Sequence, residues 1–214
     1  MIIIQTQDGS HTIKNELTGD TYHSVHGAVQ ESQHVFIKSG LDYFLVQHPK
    51  EKIKILEVGF GTGLNALLTL QAFPEIEIEY TALEPFPLTK EIFHALNYID
   101  KETLLRLHKC DWATPCSITK NFTLIKLRST LSEAILPENH FNVVYFDAFA
   151  PTSQPELWTQ DVFAKIKSAM NTTSVFVTYC AKGQVKRDLK AVGCIVYGIP
   201  GPPGKREMIR ATRA

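Results

Sequence analysis

The chain lacks several features that would have sorted it early. No stretch of its 214 residues is apolar over the ~18 positions a membrane-spanning helix needs. The start, MIIIQTQDGS, has neither a basic leader region nor a small-residue cleavage site, so it does not read as a signal peptide. Lysine plus arginine balances aspartate plus glutamate at a formal charge of zero, so no global field draws the protein to nucleic acid or to an anionic surface. The four cysteines, Cys110, Cys116, Cys180 and Cys194, include no C-x-x-C pair. That spacing argues against a structural zinc site or a thioredoxin-like motif, and the expectation is reduced thiols in a cytoplasmic protein. Internal repeats and low-complexity tracts are also absent.

What is present is concentrated in Lys54–Asn65, KILEVGFGTGLN. An apolar strand ends in Glu57, a turn holds Gly59, Gly61 and Gly63, and a helix begins at Leu64. Glycines at alternate positions allow a sharp turn after a strand and let the backbone approach a ligand without Cβ interference. No lysine follows the last glycine, as a P-loop requires, and the spacing is G-x-G-x-G where dinucleotide folds have G-x-G-x-x-G. An acid closing the strand before such a turn resembles the S-adenosylmethionine (SAM) loop of class I methyltransferases. A tight turn with no ligand is the plain alternative.

Around this turn the chain alternates strands and helices. Residues 2–7 and 11–15 flank Asp8-Gly9 and read as a hairpin; a helical stretch carrying Val35, Phe36, Leu41, Phe44 and Leu45 follows. Together they form an expected N-terminal appendage over residues 1–50, joined near Pro49–Lys52 to a main domain over 51–214. In the main domain the expected strands are Ile53–Val58, Ile76–Leu83, Leu124–Leu127, Val143–Phe146, Val175–Tyr179, Cys194–Tyr197 and Glu207–Thr212. Expected helices run from Leu64 to Phe73, after Pro87, over Ser129–Leu136, from Pro155 to Met170 and over Gln184–Val192, with Asp100–Phe122 less regular. Strands separated by helices imply an α/β fold with a mostly parallel, doubly wound Rossmann-like sheet. Gly198–Lys205 is too short for a helical crossover, so the last strand pairs antiparallel.

Strand carboxyl ends of such a sheet converge on one crevice, and three acids occupy them: Glu57, Glu84 and Asp147. Glu84 lies near the ~20-residue spacing at which nucleotide folds place a ribose-binding acid, and a carboxylate there accepts charge-assisted bonds from both hydroxyls. Asp147 opens DAFAPTSQPELW, a rigid loop in which Phe149 can hold an incoming group, whereas Trp158 reads as core. A buried strand ending in an acid demands a partner for that acid. From Lys182 onward eight basic residues stand against two acids, so this segment carries +6 and the remainder −6. Such a patch is able to contact phosphates, or is a solvated face.

The blocks FDAFAPTSQPELWTQDVF, LEVGFGTGLNALL, ALEPFPL, YHSVHGAVQESQHVFI and PGPPGKREM resemble the methyltransferase domain of the bifunctional tRNA 5-methylaminomethyl-2-thiouridine biosynthesis (MnmC) family, from Asp20 to Met208. The resemblance implies SAM as cofactor and methylation of the aminomethyl nitrogen on the wobble uridine of tRNA. It places Asp147 as the catalytic acid-base group and Glu57, Gly59, Gly61, Gly63, Asn65 and Glu84 at the cofactor. Tyr22, His23, Phe149, Lys182, Lys186, Arg187, Lys205 and Arg206 fall on the substrate side. In the bifunctional proteins a FAD-dependent oxidase domain follows; the chain ends at Ala214 and so resembles a stand-alone version, with the enzyme supplying the aminomethyl group on a separate chain. Two departures stand out. Arg128-Ser129 occupies the place of the family's Gly-Asp, and Asp147-Ala148 that of its Asp-Gly.

The chemistry agrees. Methyl transfer from a sulfonium is an in-line displacement governed by positioning. An alkylamine with a pKa near ~10 arrives protonated, and a carboxylate such as Asp147 takes that proton directly or through water. His23, His26 and His34 lack a matching carboxylate, so no metal is expected, and no membrane partner either. The alternatives are a class I enzyme acting on a small-molecule amine, by N-methylation or aminopropyl transfer, and a non-catalytic SAM- or RNA-binding module.

Overall fold

The computed structural model describes residues 1–49 and 52–213; the expected domain join at residues 50 and 51 lies outside them. Strands β1 (Ile2–Gln5) and β2 (His11–Lys14) form the hairpin, closed at Asp8 and Gly9. The Asp8 carboxylate accepts from Thr6 Oγ1 at 2.7 Å and from the backbone N–H groups of Ser10 and Gln30, each at 3.0 Å, which fastens the hairpin to the next helix. That helix runs without a break through α1 (Ala28–Ser32), a π-helical stretch (Gln33–Asp42) and α2 (Tyr43–Gln47). Val35, Phe36, Leu41 and Phe44 share one core with Ile55, Val143 and Val177 of the sheet. The N-terminal segment is thus packed into the main body, not set apart as a lobe.

There follow β3 (Ile53–Val58), α3 (Leu64–Ala72), β4 (Ile78–Leu83), α4 (Lys90–Ala95), α5 (Lys101–Lys109), β5 (Cys116–Thr119), β6 (Phe122–Leu127) and β7 (Phe141–Phe146). The chain continues through a 3₁₀ turn at Pro155–Leu157, α6 (Gln160–Ala169), β8 (Met170–Thr178), α7 (Gly183–Ala191), β9 (Cys194–Pro200) and β10 (Glu207–Arg213). The eight-stranded sheet has the order β5-β6-β4-β3-β7-β8-β10-β9. Its centre, β6-β4-β3-β7-β8, is parallel, and β10 pairs antiparallel with both β8 and β9. The doubly wound reading and its antiparallel end hold. Successive side chains point to opposite faces. Ile55, Tyr80, Tyr145 and Val177 therefore meet the π-helical stretch and α3, while Leu56, Leu83, Val144, Phe146 and Phe176 meet α6 and α7. Parallel strands covered on both faces are apolar nearly throughout.

Four expectations are corrected. The stretch from Asp100 to Phe122 contains α5, whose N-terminus is capped by Asp100 accepting from Thr103 N–H at 3.0 Å, and the edge strand β5, antiparallel to β6. Residues 129–136 form turns, not a helix; Thr130 Oγ1 and N–H both bond the Glu133 carboxylate at 2.7 and 3.2 Å, a local alternative that competes with helix. Pro155 opens only the 3₁₀ turn, because Thr159 starts α6 afresh, and α6 ends before Met170, which already belongs to β8. Finally, Cys110 and Cys116 form a disulfide: the turn after α5 brings their Cα atoms to 6.1 Å, within bridging range. Cys180 and Cys194 are buried thiols.

Candidate active site

The carboxyl ends of β3, β4 and β7 open into a crevice of about 810 Å³. Gly59, Gly61 and Gly63 all have positive φ, at 94°, 49° and 74°. The need for glycine is strictest at residue 59, where an added Cβ would stand 2.6 Å from the carbonyl oxygen of Asp147. At residue 63 the left-handed backbone starts α3. The turn is braced from behind by His108, whose Nε2 meets the Thr62 carbonyl at 2.9 Å and whose ring stacks on Phe93 at 4.4 Å. Burial lowers the His108 pKa to about 4, so the neutral ring donates this bond.

Glu84, at the end of β4, sits beside the turn with little exposure. Its Oε2 accepts from Gly61 N–H at 2.8 Å and its Oε1 from Phe86 N–H at 2.9 Å. Each oxygen keeps lone pairs for a ligand in the crevice it lines. Burial raises its pKa, against the pull of those two bonds. Tyr22 lies over Gly61, 3.1 Å from where a Cβ would be, and meets Phe149 edge-on with ring centroids 5.1 Å apart. Burial and then the Glu84 charge push the Tyr22 phenol up to about 12. His23, also in the lining, is buried between Thr12 Oγ1 at 3.1 Å and Thr62 Oγ1 at 3.4 Å, and burial lowers its pKa to about 4. It is a neutral brace for the turn.

Asp147 ends β7 at the floor of the crevice. Asn65 Nδ2 donates to its Oδ2 at 2.8 Å and to Glu57 Oε1 at 3.0 Å, so one amide ties two strand-end acids together. Glu57 is fully buried and absent from the crevice wall; it acts on the site through Asn65 and through its charge beside Asp147. Burial drives the Glu57 carboxyl well above the ordinary range, partly opposed by the Asn65 bond, with the Asp147 charge adding to the rise. Asp147 itself is raised to about 7, first by burial and then by the Glu31 charge, against the Asn65 bond and the Lys205 cation. A carboxyl poised at neutral pH inside a cleft is suited to proton transfer.

Sequence reasoning missed Glu31 and Tyr179. Glu31, in α1, lines the crevice; its Oε2 accepts from Ser24 N–H and its Oε1 from Lys205 Nζ, each at 2.7 Å. Lys205 Nζ also lies 3.9 Å from the centre of the Tyr179 ring, and Tyr179 donates its hydroxyl to the Ala148 carbonyl at 2.8 Å. The YHSVHGAVQES and PGPPGKREM blocks held both ends of the Glu31–Lys205 pair. No spacing rule links residues 174 apart.

The basic C-terminal segment divides. Lys205 turns into the crevice, and Lys186 pairs with Glu207 Oε2 at 2.5 Å. Arg210 stacks on Tyr43 at 3.4 Å, on the sheet face opposite α7. Lys182, Arg187 and Arg206 are exposed and form no ion pair among the described residues. At Arg128-Ser129 the serine hydroxyl donates to the Thr130 carbonyl at 3.0 Å, and Ser129 lines the crevice. Among the described residues no group of three His, Cys, Asp or Glu side chains is arranged to hold a metal, and no helix is long and apolar enough to cross a membrane.

Comparison with known proteins gives the family and the fold. A family model described as S-adenosyl-L-methionine-dependent methyltransferase matches residues 76–214. The tRNA 5-methylaminomethyl-2-thiouridine biosynthesis bifunctional protein MnmC of Nitrosospira multiformis is 32% identical over 212 residues, covering 90% of this chain and 34% of the relative. Its counterpart in Burkholderia thailandensis is 28% identical over 97% of this chain and 34% of the relative. The chain thus spans about a third of the length of these curated relatives. The crystal structure of MNMC2 from Aquifex aeolicus matches with a TM-score of 0.81 and 27% identity, covering 98% of this chain and 69% of that one. Spermidine synthase from Thermotoga maritima, at 16% identity and a TM-score of 0.58 over 99% of this chain and 72% of that one, shares the fold.

Proposed function

The chain belongs to the S-adenosyl-L-methionine-dependent methyltransferase family, and from that premise we propose that it methylates the aminomethyl nitrogen on the wobble uridine of tRNA. The observation that carries this reading is Asp147, a strand-end carboxyl held by Asn65 on the crevice floor with its pKa at about 7. The MnmC and MNMC2 likenesses supply the substrate class.

The crevice fits the cofactor. Gly59 lets the turn close against the Asp147 carbonyl, and Glu84 offers free lone pairs on both oxygens to a pair of vicinal hydroxyls. Leu83, Phe86 and Leu131 supply apolar wall suited to a base. SAM, when bound, supplies an electrophilic methyl group on a sulfonium. Gly59, Gly61 and Gly63 give it backbone access, Glu84 takes the ribose, and Asn65 orients Asp147 while Glu57 fixes Asn65.

Phe149 and Tyr22, in edge-to-face contact, give the crevice an aromatic wall on the side of Asp147. Asp147 accepts the proton that a protonated amine must lose before it attacks, and a pKa of about 7 leaves it able to take and release a proton near neutral pH. Lys182, Arg187 and Arg206 face solvent and are available to the phosphates of the substrate; a tRNA substrate is what supports a cytoplasmic location. Incubation with labelled SAM and undermodified bulk tRNA, followed by nucleoside mass analysis, tests the proposal. Label in a 5-methylaminomethyl uridine supports it. Label confined to small amines transfers the reading to a small-molecule N-methyltransferase.

A further inference from the structure

Lys205 places a primary alkylammonium group inside the crevice. Its Nζ lies 2.7 Å from Glu31 Oε1 and 3.9 Å from the centre of the Tyr179 ring, and its charge reaches Asp147. Carboxylate on one side and aromatic face on the other make a general cage for a cation. The two partners are fixed independently of the lysine. Glu31 is almost wholly buried and holds Ser24 N–H at 2.7 Å through its other oxygen, while Tyr179 is tied to the Ala148 carbonyl. Lys205 is the movable member, with about a third of its side chain exposed. It closes a Gly-Pro turn in which Lys205 N–H bonds the Pro202 carbonyl at 2.9 Å and Gly204 has φ of 84°.

We propose that Glu31 and the face of Tyr179 form a subsite for the primary ammonium group of the acceptor, which Lys205 fills from within the chain until the acceptor displaces it. The inference rests on the acceptor being an amine, as proposed above. The exchange conserves charge: one alkylammonium leaves the Glu31 carboxylate as another arrives, so the buried acid is never left without a counter-ion, a state that costs heavily. A hydroxyl-bearing analogue brings no charge and cannot replace the lysine. The arriving ammonium lies beside Asp147, which then takes its proton. The released Lys205 swings toward the mouth, where a polyanionic acceptor offers phosphates, so a charged tail on the acceptor favours the exchange.

The test needs neither turnover nor tRNA. Binding of n-butylammonium and of its neutral counterpart n-butanol is followed by NMR on the full chain, as wild type and as Lys205→Gln, Glu31→Gln and Tyr179→Leu. Glu31→Gln keeps an acceptor for Ser24 N–H, and thermal melting reports whether each variant is folded. The expected result is butylammonium affinity raised roughly tenfold or more in Lys205→Gln, the weight of one charge-assisted bond no longer competed for. Affinity falls by a similar factor in folded Glu31→Gln or, should that variant not fold, in Tyr179→Leu, and butanol shows no preference among the proteins. Equal butylammonium affinity in wild type and Lys205→Gln, or butanol binding that tracks butylammonium, overturns the subsite. Neither outcome bears on the tRNA assignment, which the labelling experiment decides separately.

Discussion

The backbone of Gly59 and the carbonyl oxygen of Asp147 are packed so closely that a Cβ on residue 59 would stand 2.6 Å from that oxygen. The first glycine of the turn and the strand-end acid of β7 are therefore one mechanical unit, since Asp147 N–H also bonds the Val58 carbonyl at 3.0 Å. Whatever displaces one displaces the other.

Gly59→Ala accordingly combines a φ of 94° with a steric clash. The strain alone costs ~1–3 kcal/mol, and relief requires Asp147 to move. The variant is expected to be destabilised by about that amount and to lose both SAM binding and turnover, as read by denaturant unfolding, calorimetry and assay. Wild-type SAM affinity in this variant would show that the turn is not in contact with the cofactor.

If Glu84 holds the ribose as proposed, removing its carboxylate takes away two charge-assisted bonds. Glu84→Ala should weaken SAM binding by ~1.5–3 kcal/mol while the protein stays folded. Calorimetry giving an unchanged affinity would refute the ribose assignment.

Asp147→Asn keeps the side-chain shape and removes the proposed base. Turnover is expected to fall by roughly 10²–10⁴-fold with little change in SAM affinity. The wild-type rate should rise with pH through about 7, as Asp147 loses its proton. This limb should be missing from the variant's residual activity; a variant retaining both the limb and near wild-type turnover leaves Asp147 with a structural role only.

The same carboxyl makes stability pH-dependent. Its folded-state pKa, about 7, lies above the ordinary 3.8, so over this window the folded protein holds a proton that the unfolded chain has released. The contribution of Asp147 to stability therefore falls as pH rises from about 4 to about 7, and Glu57, also raised by burial, acts in the same direction, whereas the buried His23 and His108, lowered to about 4, act in the opposite one. The wild-type denaturant midpoint, taken relative to that of Asp147→Asn, should therefore fall across that range, since the histidine contributions are common to both proteins. A midpoint that rises with pH equally in both proteins would contradict the raised value.

For a tRNA substrate, Lys182→Ala and Arg206→Ala should each reduce the slope of log affinity against log salt by about one unit or slightly less. SAM binding should stay unchanged. Lys186→Ala is expected to do less, because Glu207 already neutralises that lysine. Methylation of the free nucleoside as efficient as that of intact tRNA would leave these cations without a role.

The glycine turn, the carboxylates at the ends of β3, β4 and β7, and the antiparallel end of the sheet were legible in the chain. Each is written by local rules: positive φ selects glycine, apolar runs between helices select parallel strands, and a short Gly/Pro link excludes a crossover. Helix α5 and edge strand β5 were not legible, because their patterns are short and an edge strand is defined by its neighbour. The Cys110–Cys116 bond was hidden for a related reason, since no spacing rule sets two Cα atoms at bridging distance across a helix end. Sequence by itself also located Glu57 and Asn65 beside the turn. Only packing decided that Glu57 is buried behind the crevice lining, that Asn65 joins it to Asp147, and that Glu31 meets Lys205 across most of the chain's length. Backbone form is set by neighbours along the chain; which side chains meet in a crevice depends on where several separately formed elements come to rest against one another.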